Sequence, residues 1–137
     1  LLGSHMPLDV LVIMLGTNDL KPFLAGTAQG AAMGVKRLIQ IARIHPYRPG
    51  FKVPEILVVA PPHVRAGRMG HPAQNRSVAE SEAFAGLYAE VAVAAGCSFF
   101  DAASVVQASP IDGVHLDAQA TRRLGEALSA PVRELLR

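Results

Sequence analysis

Three short apolar runs limit what this chain can fold into: Asp9–Leu15 (DVLVIML), Glu55–Ala60 (EILVVA) and the shorter Ser98–Asp101 (SFFD). None alternates apolar with polar residues. Unbroken apolar character is what a strand covered on both faces shows, because neither side chain direction meets water. Helical spacing lies between the runs. Over Ala28–Ile44 it places Ala31, Val35, Leu38, Ile39 and Ala42 on one face, with Thr27 as cap and His45-Pro46 as stop. Ser77–Ala95 opens on a Ser-x-x-Glu capping box and turns Phe84, Leu87, Tyr88, Val91 and Ala95 inward. Gly96 there suits a left-handed terminus. Asp117 predicts the start of a last helix that buries Leu124, Leu128, Val132 and Leu135. Pro131, lacking an N–H, should kink that helix or begin a new turn. Strand and helix alternate three times, which predicts an α/β layered fold around a parallel sheet.

Ligands of such sheets bind beyond the carboxyl ends of the strands. Three loops leave that edge: 15–20 (LGTNDL), 61–75 (PPHVRAGRMGHPAQN) and 101–115 (DAASVVQASPIDGVH). The Gly/Pro-rich second loop reads as an active-site flap rather than an interdomain linker. In the third, Asp112 and His115 have the spacing of a base and the carboxylate that holds its tautomer, and Gly113 eases the turn between them. The same spacing suits a turn-capping Asp beside a surface His. In the first, Asn18 can donate its amide to a developing oxyanion, or can simply cap a turn with Asp19. A metal set of Asp112, His115 and Asp117, extended by His63 or His71, is the other chemistry open to these residues, although no His-x-x-x-His pair or cysteine cluster supports it. No serine occupies a Gly-rich strand-to-helix turn of the kind that exposes a nucleophile.

Composition excludes several classes. Half of the 137 residues are hydrophobic and 18% are charged, which fits a folded domain rather than a disordered chain. The apolar runs are too short to span a bilayer. Net charge is +2 and aromatic content 5%, without a basic patch, so nucleic-acid binding is not expected. The single cysteine, Cys97, allows no internal disulfide and fits a cytoplasmic protein; it reads as a small buried hydrophobe.

Together, LGTNDL after a strand and DGVHLD near the C-terminus resemble the SGNH hydrolases, the Gly-Asp-Ser-Leu esterase family. Gly16-Thr17-Asn18-Asp19 matches that family's third block and Asp112-Gly113-Val114-His115 its fifth. PLDVLVIMLGTND, ILVVAPP and FFDAASV are similar to the mycobacterial arylesterase/acyltransferase subgroup, and the likeness covers nearly the whole chain. The subgroup's His-x-Pro-Leu-Asp stretch appears here as HMPLD, which favours reading GSHM at 3–6 as native sequence rather than the remnant of a cleaved tag. The resemblance implies a flavodoxin-like three-layer α/β/α fold, of which residues 1–137 form the C-terminal part of a single domain, with the N-terminal strands and helices, and the nucleophilic serine, outside this chain. It implies a serine-dependent carboxylic ester hydrolase acting on short-acyl esters through an acyl-enzyme, with acyl transfer as a side reaction. His115 becomes general base, Asp112 its orienting carboxylate and Asn18 an oxyanion-hole donor. Pro61, Pro62, His63 and Val114 line the pocket, and no cofactor is needed. Expected partners are the N-terminal part of the same protein as a separate chain, a small ester and further copies in a homo-oligomer; no nucleic acid or membrane is expected. Two alternatives stand beside this: a non-catalytic binding module of the same fold, and a metal-assisted hydrolase built on Asp112, His115 and Asp117.

Overall fold

A computed structural model describes residues 1–24 and 26–137. Its centre is a three-stranded parallel sheet, β1 (Val10–Ile13), β2 (Glu55–Ala60) and β3 (Ser98–Asp101), in the order β1-β2-β3. Val10 pairs with Glu55 and Leu57 with Ser98, so the three strands end side by side. The central strand is buried on both faces along Ile56–Ala60, which is why its sequence never alternates.

Among the described residues five α-helices accompany the sheet: α1 (Leu2–His5), α2 (Ala28–Ile44), α3 (Val78–Glu82), α4 (Phe84–Ala95) and α5 (Ala118–Leu135). The short α1 has no counterpart in the sequence reading. α2 and α4 pack on one face, where Val35, Ile39, Phe84 and Tyr88 enclose Ile13, Ile56 and Val58. α5 covers the other face, setting Leu124 against Leu57 and Val59, with Leu128, Val132 and Leu135 partly buried beside them. Two helical layers around a parallel sheet are the expected fold class.

The helices depart from the sequence reading at two places, the start of the Ser77–Ala95 segment and Leu38 of α2. The single helix expected over Ser77–Ala95 is divided at Ala83. Ser81 is buried inside its first turn. Its hydroxyl donates to the Val78 carbonyl and accepts the Val64 N–H, a back-bond of the kind that bends helices. α5 continues through Pro131 to Leu135. Leu38, expected in the core, is exposed on α2, and it lines a groove of about 630 Å³ beside β1 together with Leu11, Met14, Leu15 and Ile41.

Candidate active site

The loops following the three strands meet at one edge. Leu15 and Gly16 leave β1 through a backbone conformation reserved for glycine (φ 128°), with Gly16 buried. A side chain there would meet the hydroxyl of Tyr88, which donates to the Leu15 carbonyl at 2.7 Å. Burial pushes the Tyr88 phenol well above its ordinary value, so it stays a neutral donor. This lock presents Thr17 and Asn18 at the edge. Asn18 itself is exposed.

The loop after β3 holds Asp112 and His115. Ser109 N–H donates to the His115 carbonyl at 2.7 Å and Gly113 N–H to the Ser109 carbonyl at 2.8 Å, closing the loop. His115 Nδ1 donates to Asp112 Oδ2 at 2.5 Å, while Asp112 Oδ1 accepts the N–H groups of Val114 (2.9 Å) and His115 (3.0 Å). The bond from His115, then the two backbone N–H groups, hold the Asp112 carboxyl down at about 2, against an ordinary 3.8. It is therefore ionised at neutral pH. With Nδ1 committed to Asp112, a neutral ring leaves Nε2 unprotonated, and the His115 side chain is 77% exposed. The arrangement can accept a proton from a hydroxyl brought to that face.

The 61–75 loop is not a free flap. Arg65 N–H donates to the Gly113 carbonyl, Arg68 N–H to Ile111 and Ala73 N–H to Asp112, at 2.9, 3.1 and 2.8 Å. Gly113, at φ 72°, lets the Arg65 carbonyl come where a Cβ would stand. At the end of this loop lies Arg76, which sequence reasoning missed. Its Nη2 donates to Asn18 Oδ1 at 2.7 Å and its Nε to the Thr17 carbonyl at 2.9 Å. Nη1 bonds the Ala73 carbonyl at 2.6 Å. Hydrogen bonds thus run unbroken from Asp112 through Ala73 and Arg76 to Asn18, joining residues far apart in the chain. No pattern around Arg76 in the sequence marks this.

The other named residues divide. Val114 touches Asp112 through its N–H. Pro61 is buried and Pro62 half-buried at the end of β2. His63 lines a cleft of about 260 Å³ with Val78, Glu82 and Gln107, a cleft that does not include Asn18, Asp112 or His115. His71 bonds the Pro72 carbonyl. Asp117 spends its carboxylate on the Ala120 N–H as the cap of α5, and no group of three or more His, Cys, Asp or Glu among the described residues is placed to hold a metal. Ser77, Ser81, Ser104 and Ser129 are each bonded to their own local backbone. Cys97 is half-buried, and burial, outweighing the nearby Arg43, raises its thiol above the ordinary value, which disfavours a reactive thiolate.

The profile of the GDSL-like lipase/acylhydrolase family matches residues 2–123. The chain belongs to this family. No curated protein matches it. Among solved structures, this GDSL-like chain is 51% identical to a candidate arylesterase from Agrobacterium tumefaciens, with a TM-score of 0.95, covering 98% of this chain and 64% of that one. A carbohydrate acetylesterase family member from Sinorhizobium meliloti is 42% identical with a TM-score of 0.90, covering 98% and 65%. The M. smegmatis aryl esterase is 33% identical with a TM-score of 0.87, covering 96% and 63%. The GDSL-like chain therefore spans less than two thirds of the length of each. Among the described residues no helix is long and apolar enough to cross a membrane.

Proposed function

We propose that this chain supplies the proton-handling pair and one oxyanion donor of a serine-dependent carboxylic ester hydrolase. The observation that carries the reading is His115, tethered through Nδ1 to an ionised Asp112 with its other nitrogen exposed, on the same sheet edge as the Asn18 amide. In the proposed cycle a serine outside residues 1–137 attacks the ester carbonyl while His115 Nε2 takes its proton. Asp112 stabilises the resulting imidazolium, and the Asn18 NH₂ donates to the carbonyl oxygen as it becomes an oxyanion. His115 returns the proton to the leaving alkoxide. Water, or an alcohol in acyl transfer, then releases the acyl group by the same steps in reverse. The arylesterase and acetylesterase neighbours support short-acyl esters as substrates. Pro62 and Val114 are the proposed pocket wall, while the buried Pro61 and His63, in its separate cleft, stand behind it, with no cofactor required. The residues upstream of β1 would complete the domain, within one polypeptide or as a separate chain. Further copies would join in a homo-oligomer. Alone, residues 1–137 would be inactive.

The test uses the complete enzyme and an aryl acetate. His115→Ala should abolish turnover, and Asn18→Ala should lower kcat by on the order of 10²–10³ with KM little changed. A serine-directed phosphonate should label the complete enzyme and leave residues 1–137 unlabelled. Full activity in His115→Ala would refute the assignment.

A further inference from the structure

Arg76 is 5% exposed, yet no carboxylate of the described residues lies within salt-bridge distance of it. A buried guanidinium is costly unless its donors are satisfied. Here they are spent on two backbone carbonyls and on one side-chain oxygen, that of Asn18. The approach to Arg76 is itself strained: Gln74 and Asn75 both hold left-handed φ, 58° and 53°, although neither is glycine. Such conformations persist where surrounding contacts over-determine them. The Ala73 N–H on the Asp112 carbonyl anchors one end of this stretch and the Arg76 side chain the other.

An asparagine amide has two faces. Left free at an exposed edge, it can turn either its oxygen or its NH₂ toward a ligand. Only the NH₂ stabilises an oxyanion; the oxygen would repel it. A guanidinium cannot accept a hydrogen bond, so its contact with Asn18 admits one orientation alone, oxygen inward and NH₂ outward. The positive charge also draws density from the amide oxygen and strengthens the N–H donors opposite it, an effect favoured by the low dielectric around a buried group.

We infer that Arg76 is a positioning residue for ester hydrolysis: through its bond to Oδ1 it fixes and polarises the Asn18 amide as an oxyanion donor, and the 73–76 segment sets that donor's place relative to the Asp112–His115 pair. This rests on the function proposed above. Arg76 itself touches neither substrate nor reacting atoms.

The experiment is a double-mutant cycle in the complete enzyme, with an aryl acetate as substrate. Arg76→Ala should lower kcat by on the order of 10-fold to 10²-fold, as a displaced donor would, with KM within about twofold. The pH profile of kcat/KM should keep its shape, since His115 is untouched. Arg76→Lys, which keeps the charge and one donor, should recover part of the loss. The decisive arm is Asn18→Ala combined with Arg76→Ala: it should be no slower than Asn18→Ala alone, because Arg76 acts through that amide. Losses that multiply would overturn the inference and leave the esterase reading standing. An Asn18→Ala enzyme with wild-type kcat would instead sink the esterase reading, and this inference with it. Should the Arg76 variants fail to fold, side-chain amide relaxation of Asn18 in the wild-type enzyme decides. An order parameter near that of rigid backbone, ~0.85, supports a clamped amide, and one below ~0.6 overturns it.

Discussion

A methyl group on Gly16 would have nowhere to go. The ideal Cβ position collides with the Tyr88 hydroxyl oxygen, and the φ of 128° is one that L side chains rarely adopt. Backbone strain and overpacking each cost about 1–3 kcal/mol, so Gly16→Ala should lose on the order of 3 kcal/mol in urea unfolding. Adding Tyr88→Phe removes the blocking oxygen and should return only the overpacking part. Full recovery would show that backbone conformation contributes nothing. Asp112 makes a different prediction. Its folded carboxyl titrates at about 2, below the ordinary 3.8, so it favours the folded state above that ordinary value. The contribution should shrink as pH falls from about 3.8 toward 2. Over that range the stability difference between wild type and Asp112→Asn should accordingly narrow. A difference that grew on acidification would contradict the direction of the shift. At this scale Asp112 and His115 were legible because their contact is local, three residues apart. Gly16 and Asn18 were legible as part of a motif. Arg76 was not, because its contacts with Thr17 and Asn18 span 59 and 58 positions and no local pattern encodes them.

Elements followed their sequence signals closely where those signals are local. Thr27 accepts the Gly30 N–H at the start of α2, Asp117 caps α5, and Gly96 ends α4 in the left-handed region. β2 and β3 fall on their apolar runs. The capping box at Ser77 was half legible. Ser77 does accept the Glu80 N–H, but Glu80 does not reach back to its own helix. Its Oε2 accepts the Ala28 N–H at 2.6 Å, placing a carboxylate at the N-terminus of α2. A negative charge there meets unpaired donors and the positive end of the helix dipole. Sequence could not choose between the two uses, because only the packed fold brings residue 80 to residue 28. Glu80→Gln keeps an acceptor and removes the charge, so it should cost roughly 0.3–1 kcal/mol. It should also speed hydrogen exchange at the first amides of α2 more than at those of α3. A larger effect in α3 would restore the capping box.

For the whole molecule, the open side of β1 decides how the chain behaves alone. Among the described residues β1 pairs only with β2. Along its other side Val12 is 41% and Leu15 56% exposed, next to the apolar groove walled by Leu38 and Ile41 of α2. An edge with free N–H and C=O groups and an apolar face is a template for further pairing. The same fact accounts for the core assignments that failed, the cover expected on both faces of the Asp9–Leu15 run and the burial expected of Leu38. Leu38 has core spacing, and the surface it faces is the groove beside β1. Sequence periodicity reports that a residue wants cover, but not whether this chain supplies it. About a third of the length of the A. tumefaciens relative lies outside the match, 64% of it being covered here, which is enough for further strands. Residues 1–137 expressed alone should therefore self-associate, seen as concentration-dependent sedimentation, and bind the hydrophobic dye ANS. Val12→Lys puts a charge on that edge and should reduce self-association. Adding the upstream segment as a separate polypeptide should suppress dye binding, protect the β1 amides from exchange and restore esterase activity. Val12→Lys should weaken that restoration by hindering docking. A monodisperse monomer that excludes the dye at high concentration would mean that β1 needs no partner, and the proposed completion of the sheet would fall.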